Sequence, residues 1–284
     1  MSTTPIILTS DNHDRDAAGL LYVYPVVSRR AGGVSVGINL NPNNACNWAC
    51  VYCQVPDLQR GAAPVIDMGR LARELREFLN DLLRGDFMRS RVPEAARRIV
   101  DVAISGNGEP TSAAEFPLVI DLVGRMLEEE GLAGHVMPRL ITNGSLMGRP
   151  AVQVGVARLG ELGGEVWFKV DAGSAARMAA VNGISAEPRR VARHLRRCAE
   201  LCPTWVQTCL FAMDGQGPTG ADIADYLDLL AEATPEKLRG ILLYGLARPS
   251  LQADADRLSA LPAEELQRIG AVIREKGLTV RVSP

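Results

Sequence analysis

The sequence predicts an α/β protein, a partial (β/α)6 barrel with short N- and C-terminal extensions. Three observations carry that expectation. Short β-branched or alternating runs recur along the chain, divided by longer amphipathic runs with helical spacing. Because a helix separates each strand candidate from the next, pairing should be parallel through right-handed crossovers. Finally, the loops rich in Gly, Asn and Asp all follow strands, the end at which parallel α/β folds build their sites.

Residues 1–32 read as an N-terminal extension, and 33–284 as a single barrel domain without a linker-like break. The first strand is GVSVGINLN (33–41), where polar and apolar residues alternate, and ARELREFLNDLL (72–83) is an amphipathic helix. RIVDVAIS (98–105) is short and β-branched; the helix EFPLVIDLVGRMLEEEG follows and stops at Gly131. Four more strands are expected at HVMPRLIT (135–142), EVWFKVDA (165–172), TWVQTCLF (204–211) and GILLYGLA (240–247). Helices are expected at 150–162, 187–201, 220–232 and 263–276, and LTVRVS (278–283) adds a terminal strand.

Over 284 residues, 47% apolar and 23% charged, the chain has the composition of a globular protein with a sizeable core. A formal charge of −2 offers no general attraction to nucleic acid or anionic membrane. No apolar run approaches the roughly 20 residues that span a bilayer. The start, MSTTPIILTSDNHDRD, lacks the basic opening of a signal peptide. The expectation is a cytoplasmic protein with reduced thiols, so clustered cysteines point to metal or catalysis rather than disulfides.

Such a cluster is present. NNACNWACVYCQV (43–55) concentrates Cys46, Cys50 and Cys53, half of the six cysteines, in one loop after Pro42. A loop wrapped around a cubane directs three thiolates to three irons and leaves the fourth iron open to a small molecule, whereas electron-transfer clusters carry four cysteines. Structural zinc takes four Cys or His ligands, and His13, His135 and His194 are far away in sequence. Zinc, a Cys50–Cys53 redox pair and inert thiols stay open alternatives. Cys198, Cys202 and Cys209 fall in a helix, at its end and in a strand, and read as buried thiols.

Cys46-Asn-Trp-Ala-Cys50-Val-Tyr-Cys53, with the aromatic Tyr52 before the last cysteine, resembles the CxxxCxΦC signature of the radical S-adenosylmethionine (SAM) superfamily. The resemblance runs over roughly residues 28–250. SRRAGGVSVGINLNP and SGNGEPT further resemble a branch near the wyosine-type tRNA-modifying enzymes. It implies a [4Fe-4S] cluster on the three cysteines, SAM chelated to the open iron, and one-electron cleavage to a 5′-deoxyadenosyl radical. It also implies an electron donor such as a reductase, flavodoxin or ferredoxin.

The later loops fit that expectation. In SGNGEPT, Gly106 and Gly108 permit close backbone approach, Asn107 departs from the family's usual Gly-Gly-Glu, and Glu109 offers a carboxylate to the cofactor's ammonium. Thr142 and Asn143 of ITNGS are implied to lie near the methionyl or ribose part. In FKVDAGS, Asp171 is a candidate for ribose or substrate hydroxyls and Lys169 for a substrate carboxylate, unless the two form a structural pair. Gln207 should point to the same mouth. Tyr244, Gly245 and Leu246 resemble the adenine-contacting segment, and Arg248 is a candidate anion anchor. The five arginines of EPRRVARHLRRCAE read as the outer face of a barrel helix rather than an RNA surface; Arg29 and Arg30 precede the first strand.

The expected function is hydrogen-atom abstraction from a small-molecule or peptide substrate. tRNA base modification and a non-catalytic iron–sulfur or zinc protein are the alternatives. Nucleic acid is not the favoured partner, and no membrane is expected.

Overall fold

The computed structural model describes residues 7–8, 19–28 and 32–284. Its main sheet contains β1 (Val23–Ser28), β2 (Gly33–Ile38), β3 (Ile99–Ile104), β4 (Met137–Thr142), β5 (Glu165–Lys169), β6 (Thr204–Met213), β7 (Leu238–Gly245) and β8 (Val280–Ser283). They lie side by side in chain order. Strands β2 to β7 are the six expected parallel strands, each paired with the next, and β8 continues the parallel run beyond β7. Among the described residues β1 and β8 do not pair, so the sheet is an open, partial barrel. Leu258–Ala260 adds a short antiparallel strand on β6.

The helices longer than five residues are α1 (Met68–Arg84), α2 (Phe116–Glu129), α3 (Pro150–Glu161), α4 (Ala175–Asn182), α5 (Pro188–Leu201), α6 (Gly220–Glu232) and α7 (Ala263–Arg274); a short helix at Phe87–Arg91 follows α1. Local chemistry fixes several ends. The Asp67 side chain accepts the Arg70 N–H at the start of α1, and Thr219 and Asp222 form a capping box on α6. Pro150 and Pro188 open α3 and α5, where a missing N–H costs nothing. On α5, Ala192, Leu195 and Cys198 are buried while Arg189, Arg190, Arg193, Arg196 and Arg197 are exposed, the outward face expected.

Each strand sends alternate residues to opposite sides. Val34, Val36 and Ile38 of β2 join Leu71, Leu75 and Leu79 of α1 in the core between sheet and helices. Ser35 and Gly37 face the inside of the curl. The outer layer is therefore apolar, and the concave face is free to carry polar groups.

Two of the elements additional to those expected bear on the site. β1 lies within the predicted N-terminal extension and pairs antiparallel with β2 along its whole length. Pro25 sits inside it, a residue tolerated there because β1 is an edge strand. α4 is only two turns long, too short to register as a period, and is set by the Ser174 N-cap and the left-handed Gly183 C-cap.

Candidate cofactor site

The loops at the carboxyl ends of the strands surround a cavity of about 620 Å³ that continues into the concave face of the sheet. Cys46, Cys50 and Cys53 all line it and are partly exposed. Their loop is held by hydrogen bonds from three directions. Ala45–Cys46 pairs in parallel with Gln59–Arg60. The Ala49 and Val51 N–H groups donate to the Asn182 and Val181 carbonyls of α4 at 3.0 and 2.9 Å. From the segment after β7, the Ser250 hydroxyl donates to the Val51 carbonyl at 2.6 Å, and Gln252 Nε2 donates to the Cys53 and Val55 carbonyls at 3.1 and 2.8 Å.

Two of the sulfurs already accept hydrogen bonds, Cys46 from the Trp48 N–H at 3.4 Å and Cys50 from Asn182 Nδ2 at 3.3 Å. Burial pushes the Cys46 thiol up to about 11 and the Cys50 thiol up to about 12. Both are thus protonated at neutral pH in the protein alone, and a metal must displace those protons to bind. Among the described residues no three His, Cys, Asp or Glu side chains are grouped to hold a single ion. Three soft thiolates on one short loop suit an iron–sulfur cluster, which spreads its ligands over several irons.

The loop after β3 packs directly on the cysteine loop. A Cβ on Gly108 would overlap the Ala45 carbonyl and the Asn41 amide, so glycine is required by this approach. Asn107 lines the cavity; its N–H donates to Asn39 Oδ1 at 3.0 Å and its Nδ2 to Asn44 Oδ1 at 2.6 Å. Its Oδ1 is buried without a partner among the described residues. That orphaned acceptor at the cavity wall fits a donor group on a ligand.

Glu109 also lines the cavity, but its carboxylate is heavily committed. Oε1 accepts from the Thr111 N–H at 3.1 Å, the Thr111 hydroxyl at 2.6 Å and the Thr142 hydroxyl at 2.5 Å; Oε2 accepts from the Asn143 N–H at 2.7 Å. Burial raises its pKa against these bonds. Only Oε2, with one donor, has acceptor capacity left. Thr142 is spent on Glu109 and on the Gly144 N–H, and does not line the cavity. Asn143 does, with its Nδ2 donating to Asn47 Oδ1 at 2.8 Å.

Asp171 is set back from the cavity. Its Oδ2 accepts from the Tyr52 hydroxyl at 2.5 Å and Asn182 Nδ2 at 2.8 Å, and Oδ1 accepts from the Cys209 N–H at 2.9 Å. It joins the cysteine loop, α4 and β6. Lys169 lines the cavity, 3.8 Å from Asp171 Oδ2 and 3.2 Å from the Tyr244 hydroxyl, and its ammonium lies 5.0 Å from the centre of the Tyr52 ring. Burial pulls the Lys169 ammonium down, but its polar surroundings together outweigh that, the Asp171 carboxylate foremost among them, and keep the group charged. Gly106, Tyr52, Gln207, Tyr244, Gly245, Leu246 and Arg248 complete the expected residues on the cavity wall.

Residues not singled out from the sequence form the inner end. Ser35 donates to Asp101, which pairs with Arg139; Arg139 also pairs with Glu165 at 2.9 Å and stacks 4.2 Å from the Trp167 ring centre. Ser35, Asp101, Arg139 and Trp167 all face the cavity, as does Tyr24 of β1, bonded to Ser105 at 2.9 Å. The available signal was charge inside RIVDVAIS and HVMPRLIT, since a charge in a central strand must point at something polar. Cys198 and Cys202 are buried away from the cavity, whereas Cys209 lies on its wall. His135 is exposed, and His13, Arg29 and Arg30 lie outside the described residues.

No protein-family model matches the chain. A 126-residue stretch is 26% identical to the GTPase Obg of Brachyspira hyodysenteriae, spanning 43% of this chain and 15% of that protein. None of the three lysines, at 169, 237 and 276, follows a glycine, so the Gly-Lys of a phosphate-binding P-loop is missing from these 284 residues. Solved structures are similar over far more of the chain. TYW1, in a structure with a lysine–pyruvate adduct bound, matches with a TM-score of 0.56 at 15% identity, over 85% of this chain and 73% of that one. A radical SAM methyltransferase from Sphaerobacter thermophilus matches with a TM-score of 0.56 at 15% identity, over 92% of this chain and 68% of that one. The likeness is one of fold: the chain has the partial-barrel fold of radical SAM enzymes.

Proposed function

We propose that the chain is a radical SAM enzyme in which Cys46, Cys50 and Cys53 hold a [4Fe-4S] cluster with one open iron. The observation that carries this reading is the three thiols of one loop lining the same cavity as the Gly106–Glu109 loop, whose buried Asn107 Oδ1 has no partner among the described residues. When bound, the cluster and SAM supply a 5′-deoxyadenosyl radical by one-electron cleavage of a carbon–sulfur bond. The chain's own residues bind, orient and exclude water. Asn107 and Glu109 would offer acceptors to the SAM ammonium, and Glu109 also ties the β3 and β4 loops together. Asn143, Gln207 and the Tyr244–Leu246 segment line the remaining cofactor space, and Lys169 and Arg248 are cations on the wall that an acidic substrate would meet. Thr142 and Asp171 act one layer back, through Glu109 and Tyr52.

The substrate is a small organic molecule taken into the inner end of the cavity, and the setting is cytoplasmic with an external electron donor. Among the described residues no helix is long and apolar enough to cross a membrane. A lysine adduct like that named for TYW1 is not part of this reading, because Lys169 is the lysine lining the cavity and Asp171 holds it as an ammonium rather than a nucleophile.

Anaerobic reconstitution tests the proposal. The wild-type protein is expected to bind about four irons per chain, and after dithionite reduction to release 5′-deoxyadenosine and methionine from SAM. Replacing Cys46, Cys50 and Cys53 together by Ala should abolish iron binding and leave the circular dichroism spectrum unchanged. Stoichiometric zinc in place of iron, or a reducible cluster that leaves SAM intact, defeats the reading.

A further inference from the structure

Behind the cysteine loop, on the side away from the main cavity, lies a second cavity of about 390 Å³. Asn47 and Trp48, between Cys46 and Cys50 in sequence, form part of its wall. Trp48 and Asn143 line both cavities, so at these two residues a single side chain stands between this groove and the cavity that the thiols line. Phe168, Ile184 and Val191 supply apolar wall, while Ser145, Arg190 and His194 supply polar groups.

The charge around this groove differs from that of the whole chain, which is −2. Arg190 and Arg193 project from the first turns of α5, and both act on the neighbouring His194 as positive charges. Arg60 is exposed on the same surface, bonded to the Asn47 and Gly183 carbonyls rather than to an acid. Among the described residues none of these three arginines has an ion pair, and Glu187 is the acid on the groove wall. Unpaired cations around a partly apolar depression form a complementary surface for an acidic protein.

We propose that this face is the docking surface for an acidic one-electron donor protein. The inference rests on the function proposed above and specifies where its electron enters. In the docked pair the donor's reduced cofactor loses one electron, the cluster gains it, and no atom is transferred. Electron transfer needs a short path, and part of the groove wall comes from the loop that carries the thiols. Transient redox interfaces are small and rely on charge for encounter. A nucleic acid is the less suited occupant, since the groove's one Trp is buried and no exposed aromatic platform stands there among the described residues.

The test is a stopped-flow measurement of cluster bleaching in the reconstituted enzyme, with either dithionite or a reduced bacterial flavodoxin as reductant. Flavodoxin binding is measured in parallel by calorimetry. In R190E/R193E, reduction by flavodoxin should slow about tenfold or more and lose its salt dependence, and binding should weaken in step. Reduction by dithionite should be unchanged, and R125E on α2 should behave as wild type. Unaltered flavodoxin kinetics with normal dithionite reduction overturn the docking site while leaving the proposed function intact. Loss of tRNA binding by R190E/R193E, with flavodoxin reduction unaffected, assigns the surface to nucleic acid and overturns it as well. A protein that forms no reducible cluster fails earlier, at the proposed function itself.

Discussion

Glu109 links the loops of β3 and β4 more firmly than a simple ligand-facing carboxylate would. Four donors converge on it, from Thr111, Thr142 and Asn143. In Glu109→Gln an NH2 replaces one oxygen and meets an N–H or hydroxyl that needs an acceptor. The amide also weakens the charge-assisted contact proposed with the SAM ammonium. Ligand-free E109Q is therefore expected to lose about 1–3 kcal/mol of stability in denaturant titrations and to bind SAM more weakly in equilibrium titrations. Unchanged stability would mean that the carboxylate does not hold these loops.

At the level of elements, the cysteine loop depends on two distant segments. α4 accepts two of its N–H groups, and the segment after β7 donates to three of its carbonyls. Ser250 is buried and bridges the Val51 carbonyl and the Gln252 N–H. Ser250→Ala removes that bridge and leaves a buried carbonyl under-satisfied, a cost of about 1–3 kcal/mol. The variant should fold, reconstitute, and then lose its iron to a chelator several-fold faster than wild type, a loss read as cluster absorbance over time. Equal rates would show that the loop keeps its shape without the bridge. The antiparallel β1 has a comparable long-range role, bringing Tyr24 over Gly37, where any Cβ would overlap the ring, and to the cavity wall.

For the molecule as a whole, burying neutral thiols couples stability to alkaline pH. Burial pushes Cys198 up to about 12, and Cys202 and Cys209 are raised by the same cause. In the unfolded chain these thiols ionise from roughly pH 8.5. Above that pH the unfolded state has given up protons that the native state retains, so unfolding becomes favoured as pH rises. The contribution is fully present below pH 8.5 and, for Cys198, is lost progressively toward pH 12. Denaturation midpoints of the iron-free protein should fall steadily from pH 8 to 10.5. Cys198→Ala should be less stable at pH 8 but show a shallower slope, by up to about 1.4 kcal/mol per pH unit. An unaltered slope would mean that Cys198 ionises equally in both states.

The sequence by itself determined the order of the six parallel strands and the loop that bears the three thiols. Hydrophobic period and cysteine spacing are local properties, readable within a dozen residues. It also placed the Gly106–Glu109 loop and the Tyr244–Leu246 segment at the same end of the sheet, because every such loop follows a strand. Only the tertiary structure decided which polar groups face the cavity and which are spent on one another. Glu109 with Thr142, Asp171 with Tyr52, and Asp101 with Arg139 are joined across 33, 119 and 38 positions. The same holds for Arg60, which reaches Gly183 beside the groove across 123 positions. A side chain's hydrogen-bonding capacity is finite and is filled by whichever groups the fold brings near, so its partners are a property of the packed molecule rather than of its neighbours in sequence.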